Sequence, residues 1–181
     1  MRDISLHILD IAENSVRAEA DLIEIFIDEN KTKDIVNLEI IDNGNGMTKT
    51  QLQNALDPFF TTKDIKRVGL GIPLLRANTE RSGGKFSIES IPEKGTKINS
   101  TFVRSNIDRP PLGDINGTII TLILSNPELN FVYKFKTEKG EYILDTREIK
   151  KILDGVSIAE ASVIGFLQKE MSEEIEKLME D

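Results

Sequence analysis

The 181-residue sequence predicts an α/β two-layer sandwich, a mixed sheet with helices on one face, followed by a small C-terminal α+β module. Three observations predict it. Up to residue 104 the apolar residues switch between helical and strand spacing in the order αββααββ. The punctuation Pro110-Pro111-x-Gly113 can continue neither a helix nor a central strand. Charge changes there too: residues 1–104 carry 14 Lys and Arg against 16 Asp and Glu, net −2, and residues 105–181 carry 9 against 15, net −6. The expected division is therefore 1–104 and 105–181.

Ile4, Ile8 and Ile11, with Leu9, Ala12 and Val16, form an apolar face that predicts a helix over 3–19. LIEIFID (22–28) and IVNLEII (35–41) alternate as strands, joined by the polar loop Glu29–Asp34. Thr48 and Gln51 have the spacing of a capping box and open a short helix to Leu56. A loop rich in Thr, Lys and Gly spans 57–70. Residues 71–82 read as a helix stopped by Gly83-Gly84. KFSIESI (85–91), a PEKG turn and TKINSTFVR (96–104) make a hairpin. Further on, Asp114 caps a helix to Leu124, FVYKFK and EYILDT form a second hairpin, and REIKKILDG and the acidic tail are helical. That tail places Ile164, Leu167, Met171, Ile175 and Leu178 near one face.

Composition narrows the function. At 39% hydrophobic and 30% charged the chain can bury a core. A net charge of −8 and a pI of about 4.9 argue against a nucleic-acid partner, which needs clustered Lys and Arg. The absence of cysteine excludes disulfides, a thiol nucleophile and zinc-thiolate or iron–sulfur sites, and the single His7 excludes a site with two imidazoles. Charges at positions 2, 3 and 10 interrupt any signal-peptide core, and no apolar run approaches membrane-spanning length. A cytoplasmic protein with no membrane or nucleic-acid partner is expected.

Four polar clusters stand out. On the opening helix Asp10 and Asn14 share one face, with His7 and Arg17 continuing the stripe. A solvated helix face accounts for that stripe; so does metal binding, since an Asn amide oxygen is a hard ligand suited to Mg²⁺. Asp42-Asn43-Gly44-Asn45-Gly46-Met47 follows a strand. It reads as a turn, or as a site where glycines leave room for a ligand and Asp42 accepts from an exocyclic amino group. Thr61, Thr62 and Lys63 lead to Gly69-Leu70-Gly71 ahead of a helix, a flexible loop or a phosphate cradle. The fourth cluster is Glu93-Lys94-Gly95-Thr96, in a hairpin turn.

In order and spacing these clusters resemble the GHKL (Bergerat-fold) superfamily, the histidine kinase-like ATPases. ENS at 13–15 is similar to its N-box, DNGNGM and RVGLGI to its glycine boxes, DPFFTTK to its lid segment and EKGT to its last box. The resemblance implies ATP and Mg²⁺ as ligands. It implies Asn14 as the metal ligand, Asp42 as the carboxylate facing the adenine amino group, Gly44, Gly46 and Met47 beside the base, and Thr96 near adenine. Thr62, Lys63, Gly69, Leu70 and Gly71 would wrap the phosphates. The family's Glu general base, four residues before the Asn, corresponds to Asp10, one methylene shorter. Glu13 adjoins the Asn but is rotated by about 100° on the helix, so both remain candidates for the base. The resemblance also implies a slow ATPase or a kinase acting on another protein, or else a nucleotide-sensing module. A self-phosphorylating sensor kinase is not expected, since no phosphoacceptor helix pair precedes the N-box helix. Residues 105–181 resemble the tail of stand-alone members found beside iron-hydrogenase genes and are expected to hold a protein partner.

Overall fold

Strict alternation of aliphatic and polar residues builds the centre of the sheet. The structure, a computed structural model, describes residues 3–58 and 70–180. Strands β1 (Leu22–Asn30) and β2 (Ile35–Asp42) pair antiparallel, and alternate side chains turn inward: Ile23, Ile25 and Ile27 from one, Val36, Leu38 and Ile40 from the other. Each is fully buried, a contribution of roughly 1.5–3 kcal/mol apiece. The hairpin β3 (Lys85–Ile91) and β4 (Gly95–Val103) joins the free edge of β2.

The C-terminal residues extend this same sheet. β5 (Asn130–Thr137) lies parallel to β1, pairing Ile23 with Phe131, Ile25 with Tyr133 and Ile27 with Phe135, and β6 (Gly140–Asp145) closes the order β3-β4-β2-β1-β5-β6. The sheet is thus mixed, as expected.

Helices α1 (Ile4–Arg17), α3 (Gly71–Arg81), α4 (Ile115–Ser125) and α6 (Ala161–Met179) pack over the sheet's apolar side; α2 (Lys49–Leu56) and α5 (Thr146–Leu153) are short. The Thr48–Gln51 capping box is present, with bonds of 2.8 and 3.3 Å. The acidic last helix buries Ile164, Leu167, Met171 and Ile175 in the core. The Pro-Pro segment anchors the opening helix, because the carbonyls of Pro111 and Leu112 accept the amides of Ile4 and Ser5, both at 2.9 Å, at the start of α1. Among the described residues no helix is long and apolar enough to cross a membrane.

Candidate functional site

The site assembles where α1, the end of β2, the β3–β4 turn and the start of α3 converge. Asp42 ends β2 on the inward side and is 8% exposed. Its Oδ2 accepts the Ser15 hydroxyl at 2.6 Å, and its Oδ1 accepts the amides of Gly44 at 3.0 Å and Thr96 at 3.2 Å. A carboxylate has about four acceptor positions. Among the described residues three are filled, which leaves one on Oδ2.

The last box completes this corner. Thr96 and Ser90 hydroxyls lie 2.9 Å apart, and Ser90 Oγ accepts the Met47 amide at 2.8 Å. Met47 itself is half-buried. The glycines also have a steric reason. A Cβ on Gly44 would meet the Ala18 carbonyl at 2.6 Å, and one on Gly46, at φ +61°, the Ile91 carbonyl at 2.1 Å. Backbone, rather than ligand space, occupies those directions, because the turn packs directly on its neighbours. Gly95, at φ +99°, does the same against Asp42 O at 1.9 Å.

Along α1 the polar stripe divides by depth. His7 is fully buried, Asp10 and Asn14 are partly buried, and Arg17 is exposed. The stripe is therefore a solvated face only at its C-terminal end. His7 Nε2 lies 2.8 Å from Asn78 Nδ2 on α3, its Nδ1 has no partner among the described residues, and burial lowers its pKa to about 4. At that value the ring is neutral, so Asn78 donates to Nε2.

Asp10 turns its carboxyl toward the start of α3. Its Oδ2 is buried without a hydrogen bond among the described residues, and a Cβ on Gly71 would lie 1.7 Å from it. Burial raises the Asp10 pKa and Glu13 adds to that; Arg17 and the Gly71 amide oppose it. The N-cap of α3, Leu70, offers no side-chain bond to the first amides. Glu13, by contrast, is exposed and paired with Arg17 at 2.9 Å. Arg17 also donates to Asn14 Oδ1 at 2.7 Å.

The structure therefore brings Asp10, Asn14, Asp42, Gly44, Gly46, Met47, Leu70, Gly71 and Thr96 into one region, while Thr62, Lys63 and Gly69 lie outside the described residues. Sequence reasoning missed Ser15, Ser90 and Asn78. Ser15 had a signal: it is a hydroxyl on the apolar side of a helix, one residue after Asn14. Ser90 and Asn78 had none, since their partners are distant in sequence.

Residues 2–106 match the family model described as Histidine kinase-, DNA gyrase B-, and HSP90-like ATPase, and the chain belongs to that family. Over 116 residues it is 29% identical to the cell-division control histidine kinase PdhS of Brucella anthropi, covering 56% of this chain and 11% of that protein. Over 93 residues it is 33% identical to the sensor protein DegM of Bacillus sp. (strain B21-2), covering 50% and 24%. The chain spans a minor part of these relatives' length. Among solved structures, the N-terminal domain of a DNA repair protein shares the fold, with TM-score 0.55 and 16% identity over 80% of this chain and 53% of that one.

Proposed function

We propose that this chain is a cytoplasmic Mg²⁺-dependent ATP-binding protein that acts as a slow ATPase or as a protein kinase on another protein. The open acceptor position on Asp42 Oδ2 carries the reading. Ser15, Gly44 and Thr96 hold the carboxylate in one orientation, and an exocyclic amino group is the donor that completes it. Guanine presents a carbonyl at the corresponding position and would face the carboxylate with an acceptor.

Leu70 places no side-chain cap on the start of α3, and the amides beyond that of Gly71, which meets Asp10, suit an anion, because a helix N-terminus carries unsatisfied N–H groups and the positive end of its dipole. Asn14 Oδ1 is a hard donor with a lone pair beyond the one Arg17 uses, which fits Mg²⁺. Mg²⁺ held there would neutralise triphosphate charge. Asp10 is the proposed base, since its Oδ2 has no hydrogen bond among the described residues whereas Glu13 is engaged by Arg17. A base must reach its proton directly or through one water.

A second reading, nucleotide sensing with little turnover, is favoured by Asp10 itself, whose short side chain lies against Gly71. A protein partner would then engage residues 105–181. The apolar face of α6 is packed inside, so contact would fall on side chains left outside, such as Ile152 and Phe166.

Calorimetry of the full chain with ATP and GTP, with and without Mg²⁺, tests the binding reading. Tight, Mg²⁺-assisted binding of ATP over GTP is expected; equal affinity for the two would overturn it. Phosphate release from ATP tests turnover: measurable release is expected for an ATPase, and little or none for a sensor or for a kinase without its acceptor protein. Self-labelling by γ-labelled ATP is not expected, and His7→Gln should change nothing in that assay.

A further inference from the structure

Away from the nucleotide region, a cavity of about 550 Å³ opens between β5, the start of α4 and the last turns of α6. That volume lies within the range of roughly 300–1,000 Å³ common for small-molecule sites. Its apolar wall is Leu112, Ile115, Phe135, Ile175 and Met179.

Tyr133 also lines the cavity, is 1% exposed, and has a buried hydroxyl with no hydrogen-bond partner among the described residues. The contrast with Tyr142 is direct. The two rings meet edge to face at 6.4 Å, yet the Tyr142 hydroxyl donates to Glu170 at 2.6 Å. A phenylalanine at 133 would fill the same space without burying an unpaired hydroxyl, so core packing alone does not account for this oxygen. A bound ligand would.

Charge selects the ligand. Asp114, Glu176 and Glu180 stand around the cavity, and no Lys or Arg lines it among the described residues. Asp114 already accepts the Gly117 amide at 2.8 Å, which caps α4 and closes that helix end to an anion. Ser172 and Asn116 add neutral polar groups. A phosphate or carboxylate ligand would meet like charge here, whereas an ammonium group would meet opposite charge.

We infer that this cavity is a second small-molecule site, taking an organic amine whose apolar body lies against Leu112, Phe135 and Ile175. Its polar end reaches the Tyr133 hydroxyl, and its ammonium faces Glu176 and Glu180. None of the residues lining the cavity is among those of the proposed nucleotide site.

Methyl NMR of the full chain, without nucleotide, tests it with three probes of one shape: phenethylamine, phenethyl alcohol and phenylacetate. The amine should shift Leu112, Ile115, Ile175 and Met179 saturably at millimolar concentration, the alcohol more weakly, and phenylacetate not at all. Tyr133→Phe should weaken amine binding by about threefold or more while thermal stability holds or rises. Glu176 is exposed, so Glu176→Gln is safe for folding; it should weaken the amine by about threefold and leave the alcohol unchanged. Absence of saturable shifts overturns the inference. So does equal binding of phenylacetate, or amine binding that ignores both substitutions.

Discussion

Ser15 and Asp42 are 27 positions apart, and their 2.6 Å bond ties α1 to the end of β2. Asp42→Asn replaces a carboxylate acceptor by an amide and should weaken ATP by ~1–3 kcal/mol, the scale of a charged hydrogen bond. Ser15→Ala leaves the carboxylate but frees it to turn, so about 1 kcal/mol is expected. Calorimetry checks both, and Ser15→Ala outranking Asp42→Asn would reverse their roles. Asp10 couples the site to pH. Burial raises its pKa above the ordinary 3.8, so the fold prefers the protonated form. The stability that preference adds is present below the unfolded pKa and is lost as pH rises through the folded one. Asp10→Asn should therefore raise Tm at neutral pH, with the gain fading in acid, while any turnover falls and ATP binding persists. Glu13→Gln should leave turnover largely intact; the reverse ranking in phosphate release would move the base to Glu13.

At the scale of elements, the contact between α1 and α3 decides most. Gly71 opens α3 against the Asp10 carboxyl, with 1.7 Å between Oδ2 and the place of a Cβ. Gly71→Ala must displace that side chain or part the helices. Because the obstacle is a movable side-chain end, the expected stability loss is about 1–3 kcal/mol, the scale of an overpacked core. Turnover should suffer more. In an Asp10→Ala background the stability loss should shrink in thermal unfolding, since the clash is gone. His7 joins the same two helices through Asn78. Its pKa is lowered to about 4 by burial. The neutral ring thus contributes stability that is complete above the ordinary value of 6.5 and is lost as pH falls toward 4. Wild-type Tm should show that acid step, and His7→Gln should lack it.

Over the whole molecule, the expected boundary after residue 104 separates strands that share a sheet. Removing 105–181 would strip β5 from β1, uncover Ile23, Ile25 and Ile27, and take the Pro111 and Leu112 carbonyls from the start of α1. Buried aliphatic side chains contribute roughly 1.5–3 kcal/mol each, and whole-domain stability is only about 5–15 kcal/mol. A 1–104 fragment should therefore fail to unfold cooperatively in calorimetry, whereas the full chain should show one transition. A sharp transition for the fragment would show that the shared strand is dispensable.

The periodicity of Ile23, Ile25 and Ile27, and of Ile4, Ile8 and Ile11, determined the elements and their inward faces, because burial of alternate or every third-to-fourth residue is a local pattern. The helix starts were equally legible, since the Thr48–Gln51 capping box and the Asp114 cap act over three residues. Asp10, Asn14, Asp42 and Thr96 were visible as polar breaks in that pattern. Tertiary structure alone decided that β5 pairs parallel with β1, since nothing local in Phe131, Tyr133 or Phe135 names a partner more than a hundred residues away. It also decided why Gly44 and Gly46 are glycines, which of Asp10 and Glu13 is unpaired, and that Ser15 holds Asp42. Each of these rests on a contact between distant segments, and a contact becomes a force only once packing has brought its two groups within reach.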